Sequence, residues 1–344
     1  MKTRVLGRSG IAVSELCLGA MMFGGYGNTD HDECIAIIHR ALDAGINFID
    51  TADVYSKGES EVIVGKALRG RRDEVVVATK FFNAMDTDPN HRGGSRRWIM
   101  RACEDSLRRL GTDSIDLYQM HRPDHRTDID ETLGALDDLV HQGKVRSIGS
   151  STFPAEAIVE AQWSATRRST ERFVCEQPPY SIFARSVEQA VLPTCERYGM
   201  GAIPWSPLNG GWLTGKYRRD AEIPADSRLA RLAATNPLYA TESPTNQRKL
   251  DLVEQLAKLA SDAGISLIDL ALAFVLQHPA VTAAIIGPRT MQQLEDQLGA
   301  SEVTLTGEVL DRIDELASPG TDVDARDAYF QAPAIVHAKL RRRR

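Results

Sequence analysis

The sequence predicts an α/β protein: a (β/α)8 TIM barrel carrying an N-terminal β-hairpin. Three observations predict it. Eight short apolar, β-prone stretches alternate with longer amphipathic ones. No G-x-G-x-x-G fingerprint follows the first of them, as a doubly wound dinucleotide-binding sheet would require. Polar, reactive side chains recur where successive strands end, and in such a barrel those ends converge on one rim.

Taken in chain order, Arg4-Val5-Leu6 and Ile11-Ala12-Val13 flank Gly7-Arg8-Ser9-Gly10 and read as the hairpin. Strands are expected at 15–18, 48–50, 75–79, 115–119, 145–148, 173–176, 201–204 and 283–286. Between the first two, residues 30–44 form a helix with Thr29 as its expected cap. Ile37, Ile38, Ala41 and Leu42 are its apolar face, and Gly45 is its stop. Residues 98–110 repeat the pattern and close at Gly111. Right-handed crossovers then place every helix outside and every strand inside a closed parallel barrel. The glycine cluster Gly24-Gly25-Tyr26-Gly27 has the wrong spacing for a phosphate fingerprint. Three stretches, 81–94, 209–245 and 318–344, are longer than a connection needs. The first two follow strands, so they belong at the active rim. The tail, 318–344, is expected to contribute to or flank the substrate pocket. The whole chain, 1–344, reads as one domain, because such barrels commonly occupy ~250 to more than 400 residues.

Composition narrows the partners. Apolar residues make up 42% and charged residues 26% of the 344, with a formal net charge of −6. That balance suits a globular core and gives no long-range attraction to nucleic acid or anionic lipid, so a small-molecule ligand is expected. Five cysteines, Cys17, Cys34, Cys103, Cys175 and Cys195, show no C-x-x-C or Cys/His ligand spacing, and reduced thiols in a cytoplasm are expected. Met1-Lys2-Thr3-Arg4 lacks the apolar run of a secretory leader, and the longest apolar run, 270–276, is too short to span a bilayer. No export and no membrane anchor are expected. Arg341 to Arg344 form a basic end on an acidic chain and receive no function.

The strand ends carry Asp50, Lys80, His121, Ser151, Gln177 and Ser206, spaced roughly 25 to 40 residues apart, about one βα unit each. Taken singly, each has a plain structural reading: Asp50 and Lys80 as an ion pair, His121 as a hydrogen-bonded core histidine, and Tyr55 as packing over the barrel mouth. Together they suit protonation of a carbonyl oxygen. A phenol with a free pKa of about 10 is a poor acid near neutrality, and a neighbouring ammonium is expected to lower that value. Lys80 supplies the ammonium, Asp50 holds it in place and charged, and His121 orients the carbonyl beside Tyr55. No HExxH and no Cys/His cluster offers a metal instead.

These residues lie in segments that resemble the aldo-keto reductase family. The matching segments are Phe48-Ile49-Asp50-Thr51-Ala52-Asp53-Val54-Tyr55, Ser60-Glu61 with Gly65-Lys66-Ala67-Leu68, and Ala78-Thr79-Lys80. Ser106-Leu107-Arg108-Arg109-Leu110 leading into Asp116-Leu117-Tyr118-Gln119-Met120-His121-Arg122-Pro123-Asp124 also matches, and the likeness runs roughly over residues 3–317. It implies Tyr55 as proton donor tuned by Lys80 and Asp50, His121 as carbonyl-orienting residue, and NADPH as hydride source, with NADP as product. For the cofactor it implies Gly19-Ala20-Met21 and Asp50 near the nicotinamide, Trp205 stacked on its ring, and Ser151, Thr152 and Gln177 around its carboxamide. Asn is usual where Thr152 stands. Ser206, Pro207, Leu208, Gly210 and Lys216 would cover the pyrophosphate. Gly287-Pro288-Arg289 would open a helix whose Gln293, Asp296 and Gln297 share one face at the adenosine, with Arg289 selecting NADPH over NADH. Gln297 also stands where Asn is usual.

The substrate is expected to be a carbonyl compound, with Met22, Phe23, Tyr26, Phe81, Phe82, Trp212, Tyr329 and Phe330 as candidate walls. Two other readings stay open. One is a nucleotide-binding regulatory subunit of the potassium-channel beta type, which also resembles this family. The other is a lyase or isomerase using Lys80 as a Schiff-base nucleophile.

Overall fold

A computed structural model describes residues 1–219, 221–225, 227–232, 239–240, 242–329, 333–336 and 338–340. Phe330 and Arg341 to Arg344 lie outside these residues. The chain opens with an antiparallel hairpin of β1 (Thr3–Val5) and β2 (Ala12–Ser14), in which Arg4 faces Val13.

Eight parallel strands follow, joined by helices. They are β3 (Leu16–Gly19), β4 (Phe48–Asp50), β5 (Val76–Phe81), β6 (Ile115–Met120), β7 (Val145–Ser151), β8 (Phe173–Gln177), β9 (Gly201–Ala202) and β10 (Ala284–Ile286). In space they run β10-β3-β4-β5-β6-β7-β8-β9. The seam between the last and first closes through a parallel bridge, Ala202 to Val281, where the Thr282 amide donates to the Ala202 carbonyl at 2.7 Å. All eight expected strands exist, with ends displaced by a few residues. The seventh is the most shortened, because past Ala202 the chain turns into Pro204 and cannot continue the ladder at that residue.

Local chemistry explains the helix ends. The first helix, α1 (His31–Asp43), is capped by Asp30 rather than the expected Thr29: the Asp30 carboxylate accepts from the Asp32 and Glu33 amides. After it come α2 (Glu59–Ala67), α3 (Arg96–Leu110), α4 (Ile129–His141), α5 (Ala155–Arg168) and α6 (Val191–Tyr198). Ser95 caps α3, whose first residue, Arg96, lies two residues upstream of the expected start, and Gly111 ends it at φ +64°. Beyond β9 lie α7 (Arg228–Leu232), α8 (Pro244–Asp262) and α9 (Leu267–Gln277). Past β10, α10 (Met291–Leu298) is capped by Thr290, so Arg289 precedes the helix instead of opening it. Next is α11 (Gly307–Leu316). No single helix among the described residues is long and apolar enough to cross a membrane.

Two apolar layers result. Ile37, Ile38, Ile99, Leu107, Leu133 and Leu136 pack the helices onto the outside of the sheet. Inside the barrel, Cys17, Phe48, Ala78, Leu117, Cys175 and Ile203 interdigitate, and Leu6 from the hairpin joins them. Gly7 lets the hairpin lie flat across the strand starts. A Cβ there would sit 2.5 Å from the Val174 carbonyl oxygen, at a φ of +55°. The floor is therefore closed, and the rim opposite holds the long loops. The five cysteines are buried free thiols. The tail folds back, its Val323 amide donating to the Phe183 carbonyl at 2.9 Å.

Candidate active site

At the rim, β4 and β5 are neighbours in register, Asp50 opposite Ala78, which brings Asp50 beside Lys80. Both are buried, and Lys80 Nζ donates to Asp50 Oδ1. The same ammonium reaches the Thr51 carbonyl at 2.9 Å and Tyr55 Oη at 3.3 Å. Asp50 Oδ2 accepts from Gln119 Nε2 at 3.0 Å and from Gln177 Nε2 at 2.8 Å, so side chains from β4, β5, β6 and β8 form one network. His121 ends the set: its ring meets that of Tyr55 edge-on, with centroids 5.7 Å apart.

Electrostatics assigns the protonation states. Burial works to lower the Lys80 pKa, but Asp50 and Tyr55 raise it further, and the ammonium ends above its usual range. The Tyr55 phenol departs from expectation. Burial raises its pKa and Lys80 opposes that rise, yet the net direction is upward from 10. Tyr55 is thus held as a neutral phenol touching a cation. Burial, with Lys80 and Arg122 nearby, pushes His121 well below 6.5. Asn83 Nδ2 stands 3.0 Å from His121 Nδ1. An amide nitrogen only donates, so Nδ1 accepts and the neutral ring carries its proton on Nε2.

Asn83 was not foreseen from the sequence. Its signal is position, three residues after Lys80, where Phe82 takes a φ of +132° and turns the loop inward. Arg122, beside His121, also lines the cavity without a motif that marks it as a site residue.

A cavity of about 700 Å³ opens above this network, within the usual range for a small-molecule site. Gly19, Met21, Asp50, Tyr55, His121, Ser151, Gln177, Trp205, Ser206, Pro207, Leu208, Gly210, Lys216, Gly287, Arg289, Gln293, Asp296 and Gln297 all line it. Lys80 stands beneath, through Asp50 and Tyr55. Two expected cofactor residues do not line it. Ala20 is buried, its amide donating to the Asp50 carbonyl and its own carbonyl accepting from Ser60 Oγ. Thr152 is also buried, at φ +57°, with its amide on the Gln177 carbonyl. Of the expected substrate walls, Met22, Tyr26 and Tyr329 face the cavity. Phe23, Phe81 and Trp212 are instead core side chains, Phe81 against Tyr118 and Trp212 against Tyr217, and Phe82 does not line the cavity either.

The far part of the cavity suits an elongated anion. Ser206, Asn209, Gly210, Gly211 and Gly215 all have positive φ, so this loop curls tightly, and the Gly210 amide donates to Ser206 Oγ. Lys216, Arg228, Arg231 and Arg289 bring cationic side chains to the same end. Buried polar atoms also await partners: Trp205 Nε1 and Gln297 Oε1 have none among the described residues. Among the described residues, no group of three or more His, Cys, Asp or Glu side chains is arranged to hold a metal.

Comparison with known proteins gives the same picture. Residues 15–318 match the model of the Aldo/keto reductase family. The chain is 40% identical over 341 residues to the uncharacterized oxidoreductase YrpG of Bacillus subtilis, covering 96% of this chain and 99% of that protein. It is 39% identical to a probable voltage-gated potassium channel subunit beta of Oryza sativa subsp. japonica, covering 91% and 96%. To the aldo-keto reductase YhdN of Bacillus subtilis it is 38% identical, with 86% of each chain covered.

Proposed function

The chain belongs to the aldo/keto reductase family, and from that premise we propose that it reduces an aldehyde or ketone to the alcohol with NADPH, Tyr55 giving the proton. The observation that carries this reading is the hydroxyl of Tyr55 within 3.3 Å of a buried, charged Lys80, at the floor of a cavity that continues to Arg289.

Reduced nicotinamide, when bound, supplies the hydride that carbon receives. The chain's own residues do the rest. Tyr55 Oη offers the proton that oxygen requires, and Lys80 steadies the phenolate left behind. Asp50, fixed by Gln119 and Gln177, keeps the ammonium beneath the phenol. His121 Nε2–H, set by Asn83, points a second donor at the same oxygen, which aligns the carbonyl and polarises it. Gln177 and Ser151 present an amide and a hydroxyl where a carboxamide would bind, and Trp205 offers a flat ring beside it. Lys216 and the curled Ser206–Gly215 loop suit a pyrophosphate, and Arg289 with Gln293 and Gln297 suits a phosphorylated ribose and its base.

Lys80 serves poorly as a Schiff-base nucleophile, because Asp50 and Tyr55 keep it protonated. The kinship to a channel beta subunit supports a regulatory role as the second reading, but the intact proton-donating network favours turnover. The test is consumption of NADPH, followed by its absorbance, with a panel of aldehydes. Tight NADPH binding with no aldehyde-dependent oxidation would move the reading to the regulatory one.

A further inference from the structure

One cation in the cavity has no place in the scheme above. Lys216, Arg228, Arg231 and Arg289 belong to the end suited to phosphates. Arg122 stands instead at the reaction centre, as the residue after His121. Its Nη1 donates to the His121 carbonyl at 2.5 Å, and its guanidinium carbon lies 5.8 Å from the centre of the Trp205 ring. Among the described residues it has no carboxylate within 4 Å. Glu176, the acid whose charge reaches it, is committed elsewhere, accepting from Ser150 Oγ at 2.5 Å and from the Phe153 amide at 3.0 Å. Burial pushes Glu176 up to about 7, which weakens its negative charge near neutrality.

A guanidinium has five donors in a planar fork, and a half-buried one without a counter-charge is an unfavourable element of a resting protein. The rest of this end of the cavity gives it none: the Asp50 carboxylate is taken up by Lys80, Gln119 and Gln177, Tyr55 and His121 are neutral, and Val54, Trp205, Tyr26 and Tyr329 are apolar or phenolic. The missing charge is therefore one that a ligand brings. Resting on the carbonyl-reductase reading, we infer that the preferred substrate is a carbonyl compound bearing a carboxylate, which Arg122 grips as a bidentate pair while its C=O meets Tyr55 and His121. Trp205, under the guanidinium, fixes the plane of the fork, and charge-assisted pairing of this geometry is strong and directional.

The test uses matched pairs that differ only in charge: 3- and 4-carboxybenzaldehyde against their methyl esters, at saturating NADPH, with wild type, Arg122→Gln and Arg122→Lys. The readout is the ratio of kcat/KM for acid over ester, which a general disturbance of the rim leaves untouched. Wild type should favour the acids by about 10- to 100-fold. Arg122→Gln should bring the ratio close to unity, and Arg122→Lys should restore part of it. A wild-type ratio near unity, or one that survives Arg122→Gln, overturns the inference while leaving the reductase reading intact. If no aldehyde is reduced, the reductase reading fails and calorimetry decides the anion site alone. Binding of 4-(hydroxymethyl)benzoate that disappears in Arg122→Gln and is absent for its methyl ester supports the site. Equal binding to both proteins, or none to either, overturns it.

Discussion

Among the described residues, two lysine–aspartate pairs are buried, and they are built alike. Lys80 pairs with Asp50 beneath the cavity; Lys249, from α8, pairs with Asp327 of the tail at 2.6 Å. In each, an amide side chain completes the pair: Gln119 and Gln177 donate to Asp50, while Asn209 both accepts from Lys249 and donates to Asp327. In each, the ammonium lies near an aromatic ring, 4.9 Å from that of Tyr55 and 5.7 Å from that of Trp212. The difference is what the ring carries. Tyr55 has a hydroxyl in contact with the lysine and open to the cavity, whereas Trp212 is sealed in the core. A buried pair marks structure, and it becomes chemistry only when a titratable group touches it and faces a space that a ligand can fill.

The largest expected effect comes from making the first pair resemble the second. Tyr55→Phe keeps ring and packing and removes the hydroxyl, so single-turnover hydride transfer should slow by roughly 100- to 10000-fold while NADPH affinity holds. Lys80→Met should also depress the rate. If phenol and ammonium act as one unit, the double variant will be little slower than Tyr55→Phe alone. A Tyr55→Phe protein with near wild-type turnover would move the proton donor elsewhere, His121 being next.

Breaking the second pair should cost stability instead. Lys249→Met leaves Asp327 buried without its cation, a loss of ~3 to 5 kcal/mol readable from denaturant unfolding. The chemical step at saturating NADPH should stay near wild type, and a fall as deep as that of Tyr55→Phe would erase the distinction. Smaller again is Arg289→Ala, which should weaken NADPH by ~1.5 to 3 kcal/mol, about 10- to 150-fold, and NADH far less. Equal losses would show that Arg289 does not read the 2'-phosphate.

The last prediction concerns a buried acid with no lysine at all. Burial raises Glu176 from 4.5 to about 7, with Ser150 Oγ and the Phe153 amide only partly offsetting it. The folded state then holds a proton that the unfolded state releases, so stability falls as pH rises from about 4.5 through 7. Glu176→Gln abolishes that titration. Its Tm relative to wild type should therefore be higher at pH 8 than at pH 5, and a gap independent of pH would place the charge elsewhere.

The sequence carried the strands and the pair beneath the cavity because both depend on local pattern. Asp50, Lys80 and His121 each stand at the C-terminal end of an expected strand, and a parallel barrel brings such ends together. What escaped depended on which way a side chain turns. Phe81 and Trp212 are as aromatic as Trp205, yet they pack inward, and only tertiary packing separates a core ring from a cavity wall. Asp30 rather than Thr29 caps α1 because both residue types cap well and a shift of one residue decides the case. The upward shift of the Tyr55 pKa was hidden for a related reason: the depth of burial that outweighs Lys80 is not written in any short motif.

A pairing between strands far apart in the chain sets a constraint on synthesis. β10 pairs with β3, Ala284 opposite Leu16, so the last strand of the barrel completes the first. Emerging from the ribosome, the chain presents Asp50, Lys80, Tyr55 and His121 long before the segment that closes the ring exists. Until then β3 is an unpaired edge and the polar network lacks the walls that desolvate it. Closure over so many intervening residues is a slow, high-contact-order event. The nascent molecule therefore carries these buried polar groups through a period in which exposed strand edges invite the wrong neighbours, and the arrival of residues 284–286 ends that period.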